Sequence, residues 1–175
     1  MTKLKGVKNL NDSITKELKP FGITRAHLSS EYSYLYYNRN INYKITETAL
    51  EDKWFIDFVK ERFNYTVRYP FVFSLLHEVG HHKANDEIEG AIYEFCTAEK
   101  TRIEKTMKNV KSEAKAKKLE WQYFNLPDEI MATQWAVNYC KQNPQKINNM
   151  WKNMKKALYE FYDANGVLND DNIEE

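Results

Sequence analysis

Two histidines four residues apart bracket a glutamate in the run His77-Glu78-Val79-Gly80-His81. On a helix, both imidazoles fall on one face and can grip a single Zn²⁺ ion, with Glu78 within reach of a water that the ion activates. Such a centre polarises a carbonyl and supplies hydroxide near neutral pH, the chemistry of metal-dependent peptide hydrolysis. At about 100° per residue, Ser74, His77, Gly80, His81 and Ala84 share one side. Leu75, Leu76 and Val79 point elsewhere and can anchor the helix in a core. Gly80 costs about 1 kcal/mol in a helix interior relative to Ala. That makes sense where another backbone or a ligand must come close, or where two helices simply pack. His82 lies too far round the helix to chelate together with His81, so it takes a supporting or surface role. His27 stands alone and reads as structural or exposed.

Zinc needs a third protein ligand, with an open fourth position for water. Glu129 leads: Pro127 opens its helix, and Ala132, Thr133 and Ala136 follow on its face at i+3, i+4 and i+7. Small side chains there let the helix cross the histidine helix closely while the carboxylate reaches the ion. The plainer role for Glu129 is a favourable charge at a helix N-terminus. Asp128, in the same turn but about 100° away, is a rival. Glu87, six residues after His81, is another, although Ala84 stands where a compact turn would want glycine. An oxyanion also needs a donor, and Tyr123, just before the Glu129 helix, is a candidate.

The two segments Leu75-Leu76-His77-Glu78-Val79-Gly80-His81-His82 and Glu129-Ile130-Met131-Ala132-Thr133-Gln134-Trp135-Ala136 together resemble the ImmA/IrrE family of zinc peptidases. That family's pattern is His-Glu-x-Gly-His followed by Glu-x-x-Ala-x-x-aromatic-Ala. The resemblance covers about a quarter of the chain. It implies His77, His81 and Glu129 as zinc ligands, Glu78 as catalytic base, and a gluzincin-like fold of a small sheet, a motif helix and a helix supplying the glutamate. Better-known members cleave transcriptional repressors, so the resemblance implies a protein or peptide substrate, such as a regulatory protein of a phage or mobile element. Two departures stand out. A 47-residue gap separates His81 from Glu129, and no appended helix-turn-helix segment is visible.

The supporting elements follow from composition and periodicity. The expected fold is α+β and mostly helical, a single zincin-like domain over 1–175 with a small antiparallel sheet. Residues 1–10 and 166–175 read as flexible, and 86–118 as a charged helical insertion that lids or reshapes the cleft. Asn11-Asp12-Ser13 offers caps for a first helix ending before Pro20. Tyr32, Tyr34, Tyr36, Ile41, Tyr43 and Ile45 alternate around Asn38-Arg39-Asn40 and predict a β-hairpin over 31–48. Leu50, Trp54, Phe55, Phe58 and Val59 predict a helix over 49–63, and Tyr65–Arg68 a short edge strand. Pro70 opens the motif helix, 70–84. The long segment from Asp86 carries an apolar stripe of Ile88, Ile92, Phe95, Ile103, Met107 and Val110, with ion pairs Glu104–Lys108 and Glu113–Lys117. Helices then follow from Pro127 and Pro144, the last ending at Asn165-Gly166.

Composition narrows the function classes. A net charge of +1 from 26 basic and 25 acidic residues gives no push toward nucleic acid or anionic membrane. Lys111, Lys115, Lys117 and Lys118 read as a solvated helix face. No apolar run approaches the roughly 20 residues of a membrane span, and the amino terminus lacks a secretory h-region. A cytoplasmic setting is therefore expected, with Cys96 and Cys140 as buried, reduced thiols. The competing reading is a catalytically inactive zincin-like module that binds a partner through the hairpin or the 86–118 helix. The sequence leaves the oligomeric state open.

Overall fold

The computed structural model describes residues 4–45, 50–84, 88 and 90–165. They fall into two compact units, one made of 1–48 with 142–175 and the other of 49–141. The class is α+β: helices dominate, and one small sheet accompanies them. No helix among the described residues is long and apolar enough to cross a membrane.

In the first unit, α1 (Val7–Leu18) packs on α7 (Pro144–Asn165) and on the strand β1 (Arg25–Leu28). The helix starts earlier than its sequence caps suggest. Gly6 takes the left-handed φ of 75° that turns the chain into the first turn, and Leu10 is fully buried. Residues 7–10 are thus part of the helix, within the stretch expected to be flexible. Asn11 does other work: its Oδ1 accepts from the Leu28 N–H at 3.0 Å and from the Tyr43 hydroxyl at 2.7 Å. Thr15 Oγ1 likewise accepts from the Ala26 N–H at 2.9 Å, so α1 is stitched to β1 by side chains. At the other end, Asn165 exchanges two hydrogen bonds with the Lys5 backbone, both at 2.9 Å.

The predicted hairpin forms from β2 (Ser33–Leu35) and β3 (Asn40–Tyr43), with Arg39 at φ 53° closing the turn. The sheet is not purely antiparallel, however. β1 adds to the other edge of β3 in parallel, giving the order β1-β3-β2. Four-residue β1 carries too little alternation to read as a strand by periodicity. The tyrosines divide: Tyr43 is fully buried, whereas Tyr36 and Tyr37 at the hairpin tip are exposed. The hairpin's last residues, 46–48, and the tail 166–175 lie outside the described residues.

The second unit contains α2 (Leu50–Phe63), α3 (Pro70–Ala84), α4 (Gly90–Met107), α5 (Glu113–Phe124) and α6 (Pro127–Gln142, its last residue beyond the unit). Trp54, Phe55, Phe58 and Val59 of α2 are buried as their spacing predicts. Phe58 meets Trp121 and Phe124 of α5 with ring centroids 5.5 and 5.4 Å apart, and Phe55 meets Phe73 of α3 at 5.8 Å. These aromatic contacts fasten α2, α3 and α5 into one core. Residues 65–68 form an irregular connector and not a strand, because Tyr65 folds back to stack on Phe73.

The charged segment breaks into two helices around Lys108–Ser112, and α5 runs on to Phe124. Its buried face keeps Ile103 and Met107 of the predicted stripe but not Ile92 and Phe95. Ile92 and Phe95 are exposed, while Cys96, Ile103 and Leu126 form a cluster joined by Met107, Leu119 and Tyr123. Lys117 reaches Asp57 at 3.9 Å in place of Glu113. The exposed lysines Lys111, Lys115 and Lys118 form the solvated face expected of them.

α3 and α6 cross at Gly80. A Cβ there would lie 2.8 Å from Ala132 Cα and closer still to its carbonyl oxygen. The glycine therefore admits the backbone of α6. Gly80→Ala is expected to destabilise the protein by about 1–3 kcal/mol through overpacking. Gly90→Ala, where nothing lies within 4 Å, should stay within about 1 kcal/mol of wild type and on the stable side. Urea denaturation of both variants checks the contrast.

Cys96 and Cys140 are unpaired and buried. Burial pushes the Cys140 thiol up to about 11, with a bond to Tyr65 opposing, and raises Cys96 as well. Raised folded values mean that the stabilisation is fully present below the unfolded thiol pKa, about 8.5, and fades for Cys140 as pH rises toward 11. Both thiols should resist iodoacetamide at pH 8 in the native protein and react in denaturant, as mass spectrometry would read.

Candidate metal centre

α3 runs from Pro70, whose missing N–H is tolerated at a first helical position. Leu75, Leu76 and Val79 are fully buried, so the helix is anchored on the side away from the histidines. The opposite side holds His77 and His81, with ring centroids 4.7 Å apart and Nε2 atoms 3.2 Å apart. Phe55 of α2 stands edge-on to His77 at 4.9 Å and walls that flank with carbon.

α6 supplies the carboxylate. Because Gly80 lets Ala132 in, the first turn of α6 brings Glu129 over the imidazoles. Its Oε2 lies 3.0 Å from His77 Nε2 and its Oε1 3.4 Å from His81 Nε2. One turn on, Thr133 Oγ1 lies 3.1 Å from His77 Nδ1. A His77 tautomer that donates Nδ1–H to that hydroxyl would leave the Nε2 lone pair free for a metal ion. Two ring nitrogens and a carboxylate thus converge, an arrangement that only protons or a cation can hold together.

The separations fit a metal ion. Donors about 2.0–2.1 Å from a tetrahedral centre stand about 3.3 Å from each other. Two separations here lie near that edge, 3.0 Å from His77 Nε2 to Glu129 Oε2 and 3.2 Å between the two Nε2 atoms, while the other Glu129 oxygen, Oε1, stands 3.4 Å from His81 Nε2. Glu78, buried beside His77, has a ligand atom within 4.8 Å of those of both histidines. Asp128 and Glu129 form a similar group with His81.

The electrostatics agree. Burial alone would push the Glu129 carboxyl up, but His81 and His77 beside it hold it well below the ordinary carboxylate range. Lys100 of α4 reaches Glu129 Oε1 and Asp128 Oδ2, each at 2.5 Å. Burial lowers the lysine, yet Glu129, Tyr123 and Asp128 outweigh it and keep the ammonium charged.

Of the residues singled out in the sequence, His77, Glu78, His81, Glu129 and Asp128 come together. Tyr123 joins them through Lys100, whose Nζ sits 5.2 Å from the Tyr123 ring centre. Burial raises the Tyr123 hydroxyl, nearby Glu129 adds to this and Lys100 opposes it, so it stays a phenol and a donor. Glu87 lies outside the described residues. His27 sits on β1 in the first unit, its Nε2 3.4 Å from the Asn40 amide nitrogen, in a structural setting.

Two partners escaped the sequence reading. Thr133 figured only as a small residue on the Glu129 face. Lys100 was submerged in a charged helix, yet Cys96, Lys100, Ile103 and Met107 keep one helical register. A cation in line with buried neighbours was the available signal. Comparisons with protein-family models, curated proteins and solved structures returned no match.

Proposed function

We propose that this chain is a zinc-dependent peptidase acting on a protein or peptide substrate, with a zincin-like arrangement of its second unit. The observation that carries the reading is the convergence of His77 Nε2, His81 Nε2 and the Glu129 carboxylate at separations of 3.0 to 3.4 Å. The resemblance of both motifs to ImmA/IrrE peptidases points the same way, and on that resemblance alone the substrate class would be a regulatory protein of a phage or mobile element.

His77, His81 and Glu129 would hold Zn²⁺, which when bound polarises a substrate carbonyl and makes water acidic enough to attack it near neutral pH. Glu78 is the proton carrier. Its carboxylate takes a proton from the attacking water and then delivers it to the amide nitrogen as the C–N bond breaks, leaving a carboxylate and an amine. Tyr123, a phenol beside both Glu78 and Glu129, supplies a hydrogen-bond donor for the carbonyl oxygen as it gains charge. Thr133 fixes the tautomer and ring plane of His77 through Nδ1.

Glu78→Gln should leave metal content unchanged and lower cleavage by about 10²- to 10⁴-fold. Elemental analysis of protein purified without added metal, with cleavage of a proteome-derived peptide library followed by mass spectrometry, measures both. Full activity in Glu78→Gln removes it as the base. Stoichiometric zinc with no cleavage by wild type would favour the partner-binding module instead. Thr133→Val should weaken zinc binding by about 10- to 100-fold, read by competition with a chromogenic chelator.

A further inference from the structure

Asp128 and Glu129 are consecutive, both lie near His81, and either could serve as the third ligand by chemistry alone. Lys100 separates their roles. Its single ammonium bridges Asp128 Oδ2 and Glu129 Oε1, each at 2.5 Å. Held by that bridge, Glu129 keeps Oε2 turned toward His77 at 3.0 Å. Asp128 is drawn to the ammonium, although its other oxygen, Oδ1, is buried with no hydrogen-bond partner among the described residues. A buried carboxylate oxygen lacking a partner is costly, and a nearby divalent ion is the strongest acceptor of its lone pair.

We infer that Lys100 is a positioning residue that selects the ligand set: it fixes Glu129 as a one-oxygen donor and withholds Asp128 from the ion. This rests on the metal reading above and deepens it. The position of Lys100 supports the role. It projects from α4 in the register of buried Cys96 and Ile103, its side chain only 22% exposed and its head tied to both carboxylates. A flexible surface lysine could not discriminate between adjacent carboxylates. A packed one with two acceptors can. The bridge keeps the coordination number low, which leaves the open position that a catalytic site, unlike a closed structural one, requires.

The test uses the full chain loaded with Co²⁺ in place of zinc, because its visible absorption reports coordination geometry. Wild type should give the intense spectrum of a four-coordinate site. In Lys100→Met, Asp128 becomes available as an added donor, and the absorption should fall several-fold. Lys100→Met combined with Asp128→Asn should restore the intense spectrum, and so should Lys100→Arg, which keeps the charge. Asp128→Asn alone should leave the spectrum unchanged, whereas Glu129→Gln should alter it.

A Lys100→Met spectrum identical to wild type overturns the inference while leaving the metal centre intact. Wild-type protein that takes up no Co²⁺ overturns the metal reading and this inference together. Should Lys100→Met fail to fold, Asp128→Asn decides: an unchanged spectrum supports the assignment, and an altered one makes Asp128 a ligand and ends it.

Discussion

The close passage of α6 over Gly80 is the constraint on which the rest of the site depends. Helix axes normally stay 8–10 Å apart because side chains intervene. Here the motif helix offers no side chain at the crossing, and Ala132 brings its own backbone into the gap. That contact places the α6 first turn, and with it Glu129, beside His77 and His81. Sequence, packing and chemistry meet at one missing methyl group. Any larger residue at 80 would separate the carboxylate from the imidazoles before it touched either of them.

The carboxylate's burial sets the second requirement. A charge withdrawn from water must be met by opposite charge and hydrogen bonds, or it will protonate. Glu129 is met by two imidazoles on one side and by Lys100 on the other. The partners come from three helices, α3, α4 and α6, so the site cannot assemble from the motif helix alone. The aromatic contacts of Phe55, Phe58, Phe73 and Phe124 hold α2, α3 and α5 in the arrangement that makes this possible.

Much of this was legible in the residues. The motif helix announced both its ends through Pro70 and its apolar anchors, and the small residues after Glu129 foretold a close crossing. What failed to show was tertiary in origin. β1 is too short for alternation to declare itself, and its hydrogen bonds go to Thr15 and Asn11, 11 and 17 residues earlier in the chain. Asn11 looked like a helix cap because caps and strand-docking acceptors use the same amide chemistry. The stripe of α4 was right in part: Ile103 is buried and Met107 packs beside it, but Ile92 and Phe95 are exposed and Cys96 takes the buried place in their turn. A search for apolar residues alone passes over Lys100, although its register with Cys96, Ile103 and Met107 was there to be read.

The ring of Phe55 against His77 has a directional consequence. With its edge on one imidazole and Phe73 and Phe124 behind it, that flank is closed to water. Side-chain exposure rises from 8% at His77 to 17% at His81. Of the two imidazoles, solvent therefore reaches His81 more readily, and Lys100, at 22%, is as open beside the carboxylates. On the proposed peptidase reading, the hydrocarbon wall would bar a polypeptide from the His77 flank and leave the other side of the histidine pair for its approach.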